Sequence, residues 1–246
     1  MSAAHGPSPL PVDAKRWLDA LPDRPFRPLP VGMMRAMADA RAPLEDVVLD
    51  RLAFGTSMQR VPDRGYRAAF LVSLVGEWRC AAGLPVLVQH LDTPWGYGWD
   101  ELIHAFTRIG PASIPSLLYA AFDGRSTVLA RQRALRALAS CAHAAVDPDD
   151  EWPGDGRAHY GEICAALRLV LHRWAAEPRA IVDEAALRLC GLRCLEAWDE
   201  VRDLFARGVV REREGFTANI AADLIEGRLW TADLGGWSSS MIDHLP

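Results

Sequence analysis

The chain has 246 residues, half of them apolar, with a net charge of −5. Such a composition excludes a disordered polymer and argues against a broad nucleic-acid-binding surface. No apolar run approaches the roughly 18 residues a membrane-spanning helix needs. The N-terminal MSAAHGPSPLPVDAKRW has no basic start followed by an apolar block, so the expected location is cytoplasmic.

Residues 1–30 carry prolines at positions 7, 9, 11, 22, 25, 28 and 30. They read as an extended arm with one short helical turn near Lys15 to Leu21. Helices are then expected in pairs. The first is 31–40 with 43–54, where Leu44, Val47, Val48 and Leu52 make one stripe. The second is 63–80 with 84–91, carrying Leu71, Leu74, Val75 and Trp78 on one helix and Leu84, Leu87, Val88 and Leu91 on the other. The third starts at Trp99, with Leu102, Phe106 and Ile109 on one face, and turns at Gly110-Pro111. That connection is short enough to predict antiparallel neighbours. Its second helix carries Ile114, Leu117, Leu118, Ala121 and Phe122. Gly124 follows, where a left-handed cap residue is expected. The fourth pair is 126–143 with 159–174, and the fifth 178–195 with 197–207. A helix at 217–226 and a Gly/Ser-rich tail end the chain. No segment alternates as a strand would. The division expected is an arm at 1–30, a helical domain at 31–227 and a tail at 228–246.

The second helices superpose as AGLPVLVQHLD, ASIPSLLYAAF and AWDEVRDLFAR. Leu84 to Ile114 spans 30 residues and Ile114 to Val201 spans 87, periods in the range of helical solenoids. The segments IGPASIPSLLYAAFDG and LEAWDEVRDLFARG resemble HEAT repeats of the bacterial HEAT-like (armadillo-type) kind, and the Arg-rich RQRALRALA helix after the first extends the likeness. The resemblance spans about residues 60 to 210. It implies an all-α fold, an α-α superhelix of about five antiparallel pairs whose second helices line a concave binding face. It implies no activity.

Candidate sites are few. TPWGYGWDE places Trp95, Tyr97 and Trp99 between glycines; such aromatics serve as binding anchors or cover a seam between repeats. Gln89, Tyr119, Arg202 and Asp203 are expected on the exposed face of second helices. Arg131, with Arg136 beyond it, forms a polar stripe that could meet phosphate or carboxylate, or simply be solvated. The loop VDPDDEWPGDGRAHY is long and acidic, but has Trp152 and Ala158 where a calcium loop from Asp147 needs Gly and Glu. Cys190 and Cys194 lie one turn apart; zinc would need further ligands such as Cys164 and His172 brought close, and gap-filling cysteines are the commoner case. The seven histidines fit no catalytic frame. No metal, cofactor or catalytic residue is therefore assigned. The expected function is a non-enzymatic scaffold presenting its repeat surface to a protein partner. The alternatives are a HEAT-like DNA-binding enzyme of the DNA glycosylase type, with a basic aromatic-lined groove, and an oligomerising structural protein.

Overall fold

Helix after helix follows from the apolar periods, and the computed structural model describes them over residues 12–21, 31–57, 66–93, 99–146, 155–212 and 216–228. Among these residues the fold is all-α, with no strand. The chain forms two units. The first contains the described residues up to His90 together with Trp99–Ile109; the second contains Leu91–Thr93 and the described residues from Gly110 on.

In the first unit the helices are α1 (Val12–Ala20), α2 (Val31–Asp39), α3 (Arg41–Ser57), α4 (Tyr66–Glu77), α5 (Leu84–His90) and α6 (Trp99–Ile109). Here α4 packs on α2, α3 and α6. Its stripe of Leu71, Leu74 and Val75 widens to the whole circumference, because Ala69, Phe70, Val72, Ser73 and Gly76 are buried as well. A helix apolar on every side belongs at a centre. The approach of α6 is close: a Cβ on Gly76 would lie 2.8 Å from the Ala105 Cα. Ser73 Oγ donates to Glu101 Oε2 at 2.6 Å across the same contact, so neither buried polar group is stranded.

The second unit holds α7 (Ile114–Phe122), α8 (Val128–Val146), α9 (Gly156–His172), α10 (Arg179–Gly191), α11 (Trp198–Ala206) and α12 (Ala218–Ile225). Packed on α7, α9 and α10 is α8; packed on α8, α9 and α12 is α10. Ala134, Ala137, Ala139 and Ala142 keep α8 slim enough for several neighbours. The helix starts are capped as the sequence allows: Asp155 accepts from the Ala158 amide and Thr217 from the Ile220 amide.

Helix ends repeat one device. Beyond α4, the Arg79 amide donates to Gly76 O and the Cys80 amide to Val75 O. Beyond α10, Arg193 and Cys194 bond to Cys190 O and Leu189 O in the same way. This is the Schellman arrangement, which calls for a left-handed residue. Gly208 and Gly227 supply it after α11 and α12 with φ of 67° and 77°, whereas Arg79 and Arg193 adopt it as non-glycines at 47° and 57°.

Gly124, expected as a left-handed cap, is not one: α7 ends at Asp123 in extended backbone, and Gly124 has no positive φ. The repeat register also shifts. Second helices start at Leu84, Ile114 and Trp198, each after a 3-10 turn ending in a small buried residue, Gly83, Ser113 or Ala197. Trp198, not Asp199, therefore corresponds to Leu84: the buried last residue of each turn sets the register, not the identity of Ala82, Ala112 and Ala197. Several boundaries move by a turn at most; α1 is longer than the expected single turn. The rest of the N-terminal arm and the tail beyond Arg228 lie outside the described residues. No helix among the described residues is long and apolar enough to cross a membrane.

Candidate functional site

The sequence-derived surface residues divide between the units. Trp95 and Tyr97 lie outside the described residues. Trp99 opens α6 half-buried, and Gln89 is exposed on α5. In the second unit Tyr119 is 61% exposed on α7, and Arg202 and Asp203 are exposed on α11. The Tyr119 hydroxyl accepts from Arg125 Nη2 at 2.6 Å, while Asp123 accepts from the same guanidinium at 3.1 Å. Arg202 pairs with Asp199 at 2.6 Å and Asp203 with Arg207 at 2.9 Å, so the α11 surface is close to locally neutral.

Arg131 is inside. Its Nε donates to Ala121 O at 2.7 Å and its Nη2 meets Glu177 at 2.6 Å. The neighbouring arginines of α8 are engaged too. Arg133 donates to the Leu91 and Thr93 carbonyls, and burial holds its guanidinium below the usual value. Arg136 lies 3.4 Å from Glu184, which also binds Arg188 at 2.7 Å. The arginine cluster of this helix thus ties α8 to α7, to the Leu91–Thr93 segment and to α10. Periodicity showed its spacing but not the partners, which, apart from Ala121, lie 40 or more residues away in the chain.

Between α9 and α11, Arg168 and His172 converge on Glu200, at 3.2 and 3.1 Å. The hydrogen bond from Arg168, aided by His172 and opposed by burial, holds the Glu200 carboxyl below its ordinary range. Leu169 and Trp174 are exposed at this end of α9, and Leu195 at the turn before α11. Of the long acidic segment, Val146 ends α8 and Asp155 caps α9, which takes in 156–160; Asp147, Asp149, Asp150 and Glu151 lie outside the described residues.

All five cysteines are buried. Cys164 on α9 and Cys194, which follows the α10 cap, influence each other's protonation. Cys194 Sγ donates its proton to Glu196 Oε2 at 3.5 Å. One turn before Cys164, the Tyr160 hydroxyl donates to Leu192 O at 2.7 Å and lies in reach of the Cys164 sulfur. Cys194 holds the Cys164 thiol below its usual range, with burial opposing and Tyr160 assisting. The Cys194 thiol is pushed up by Cys164 and by burial. Cys190 stands apart: burial alone pushes its thiol up to about 12. The hypothetical zinc set of Cys190, Cys194, Cys164 and His172 is not assembled, and among the described residues no group of three His, Cys, Asp or Glu side chains could hold a metal ion.

Trp78-Arg79-Cys80 and Leu192-Arg193-Cys194 share an Arg-Cys step at the same cap position, and in each the thiol donates to a glutamate, Glu45 or Glu196. Comparison with protein-family models, curated proteins and solved structures finds no match to the chain.

Proposed function

We propose that the chain is a HEAT-like helical-repeat scaffold that binds another protein, without chemistry of its own, through the outward faces of the second helices in the second unit. The observation that carries this reading is the exposure of large apolar side chains, Tyr119 on α7 and Leu169 and Trp174 at the end of α9, among charges that neutralise one another. Aromatic and aliphatic anchors in a polar surround are the composition of protein-binding patches. The packing of α8 on α9 and α10, of α10 on α12 and of α11 on α12 supports a nearest-neighbour repeat. The internal engagement of Arg131, Arg133 and Arg136 supports a protein partner over nucleic acid, since a phosphate-binding groove needs such cations free. A cytoplasmic location belongs to the same reading.

The test is affinity capture from host lysate by the full chain, with nuclease treatment, followed by titration of the purified partner. A protein partner that binds the wild type and loses at least tenfold affinity on Leu169→Arg or Tyr119→Arg supports the reading. Retention of nucleic acid alone, or a partner indifferent to both substitutions, refutes it.

A further inference from the structure

We propose that this chain self-associates through unlike faces: α3 of one copy lies on α9 of another. Both faces are bare helix ridges. On α3 every fourth residue, Ala42, Asp46, Asp50 and Phe54, is exposed, and on α9 so are Arg157, Gly161, Ala165, Leu169 and Arg173. Phe54 is 63% exposed and Leu169 38%. A hollow of about 620 Å³ opens on α3, lined by Phe54 with Val47, Asp50, Arg51 and Ala53. Val47, Asp50, Arg51 and Phe54 stand at offsets 0, 3, 4 and 7, the four corners of a hole that receives one side chain of a facing helix.

The charges choose the occupant. Asp46 and Asp50 make no ion pair among the described residues, and neither do Arg157 and Arg173. Their charged neighbours are engaged already: Arg41 with Glu45 and Arg51 with Asp19 at α3, Arg168 and His172 with Glu200 at α9. The α3 ridge is left acidic, and the α9 ridge carries a free cation at each end. Like faces repel: α3 against α3 sets aspartates together, and α9 against α9 centred on Ala165 sets arginines together in either direction. Unlike faces attract, which makes the contact heterologous.

The spacings match. From Phe54 back to Asp46 is eight residues, and from Ala165 on to Arg173 is eight, about 12 Å along each helix. With the helices antiparallel and Phe54 over Ala165, Asp46 meets Arg173 and Leu169 enters the hollow between Val47 and Phe54. The parallel direction would instead bring Asp50 to Gly161, beside Glu162, a carboxylate 3.7 Å from His159. Repulsion there selects the antiparallel arrangement. The inference rests on the reading of α9 as a protein-docking face and adds the occupant, a second copy.

The test is sedimentation equilibrium of the full chain. A contact confined to two helix faces lies at the small end of specific interfaces, so the concentration series runs up to millimolar. The expected result is a weight-average mass that rises above one chain with concentration and falls back with added salt. Asp46→Arg with Asp50→Arg, or Arg173→Glu alone, should each weaken association by about tenfold or more, because each sets like charges across the contact. Mixing these two variants, or combining all three substitutions in one chain, should restore it, since opposite charges then face each other again. Restoration also shows that the variants are folded. A wild type that stays monomeric, association indifferent to the reversals, or folded variants that fail to complement each overturns the inference. The wild-type concentration and salt series decides even if a variant misfolds. A host protein that titrates onto a monomeric chain would overturn self-association alone and leave the scaffold reading standing, because the aspartate reversals keep Leu169 and Tyr119 in place.

Discussion

Arg131 and Glu177 form an ion pair of 2.6 Å inside the second unit, with side chains only 8% and 11% exposed. The guanidinium is also bonded to Ala121 O, so one cation joins the end of α7 to the loop before α10. Removing one member leaves a buried charge without its partner. Glu177→Ala should lower unfolding stability by about 3 kcal/mol, measured by urea denaturation. Arg131→Met combined with Glu177→Leu should recover at least half of that loss. Equal loss in the single and double variants would show that packing, not charge, sets the cost.

The contact of Gly76 with Ala105 leaves no room for a side chain, because the obstruction is backbone. Gly76→Ala should destabilise by about 2 kcal/mol despite its better helix propensity, and a companion Gly161→Ala, in open space on α9, should be neutral or stabilising. The pair is compared by chemical denaturation.

Two glycines in open space should respond with opposite sign. Gly208 has φ +67° and nothing near its missing Cβ, so Gly208→Ala carries only the left-handed backbone penalty of about 1 kcal/mol. Gly124 has ordinary φ and an equally open site. Gly124→Ala should stabilise by about 0.5 kcal/mol by narrowing the unfolded ensemble. Thermal melts of both variants check the sign.

His90 is 3% exposed, its Nε2 lying 3.3 Å from Leu52 O, and burial pulls its pKa from 6.5 down to about 4. Above pH 6.5 the ring is neutral in both states and exacts no penalty. Between 6.5 and 4 the unfolded chain takes up a proton that the folded chain refuses, so stability falls with pH by about 3 kcal/mol in total. His90→Gln should flatten the dependence of unfolding free energy between pH 6.5 and 4.5. An unchanged slope would place the titration elsewhere.

Legible in the sequence were the elements that a period of 3.6 and local chemistry determine: the helices from Val31 to Ile225, the turn at Gly110-Pro111, and the exposed positions of Gln89, Tyr119, Arg202 and Asp203. These depend on residues within a turn or two of one another. What an arginine or a cysteine does depends on who stands opposite, and that is decided only when the chain packs. The α8 arginines meet carbonyls and carboxylates from elsewhere in the chain, and α4 is surrounded on all sides rather than on one stripe. Sequence spacing is periodic along an element, whereas the partner of a charge or a thiol is a distance through space.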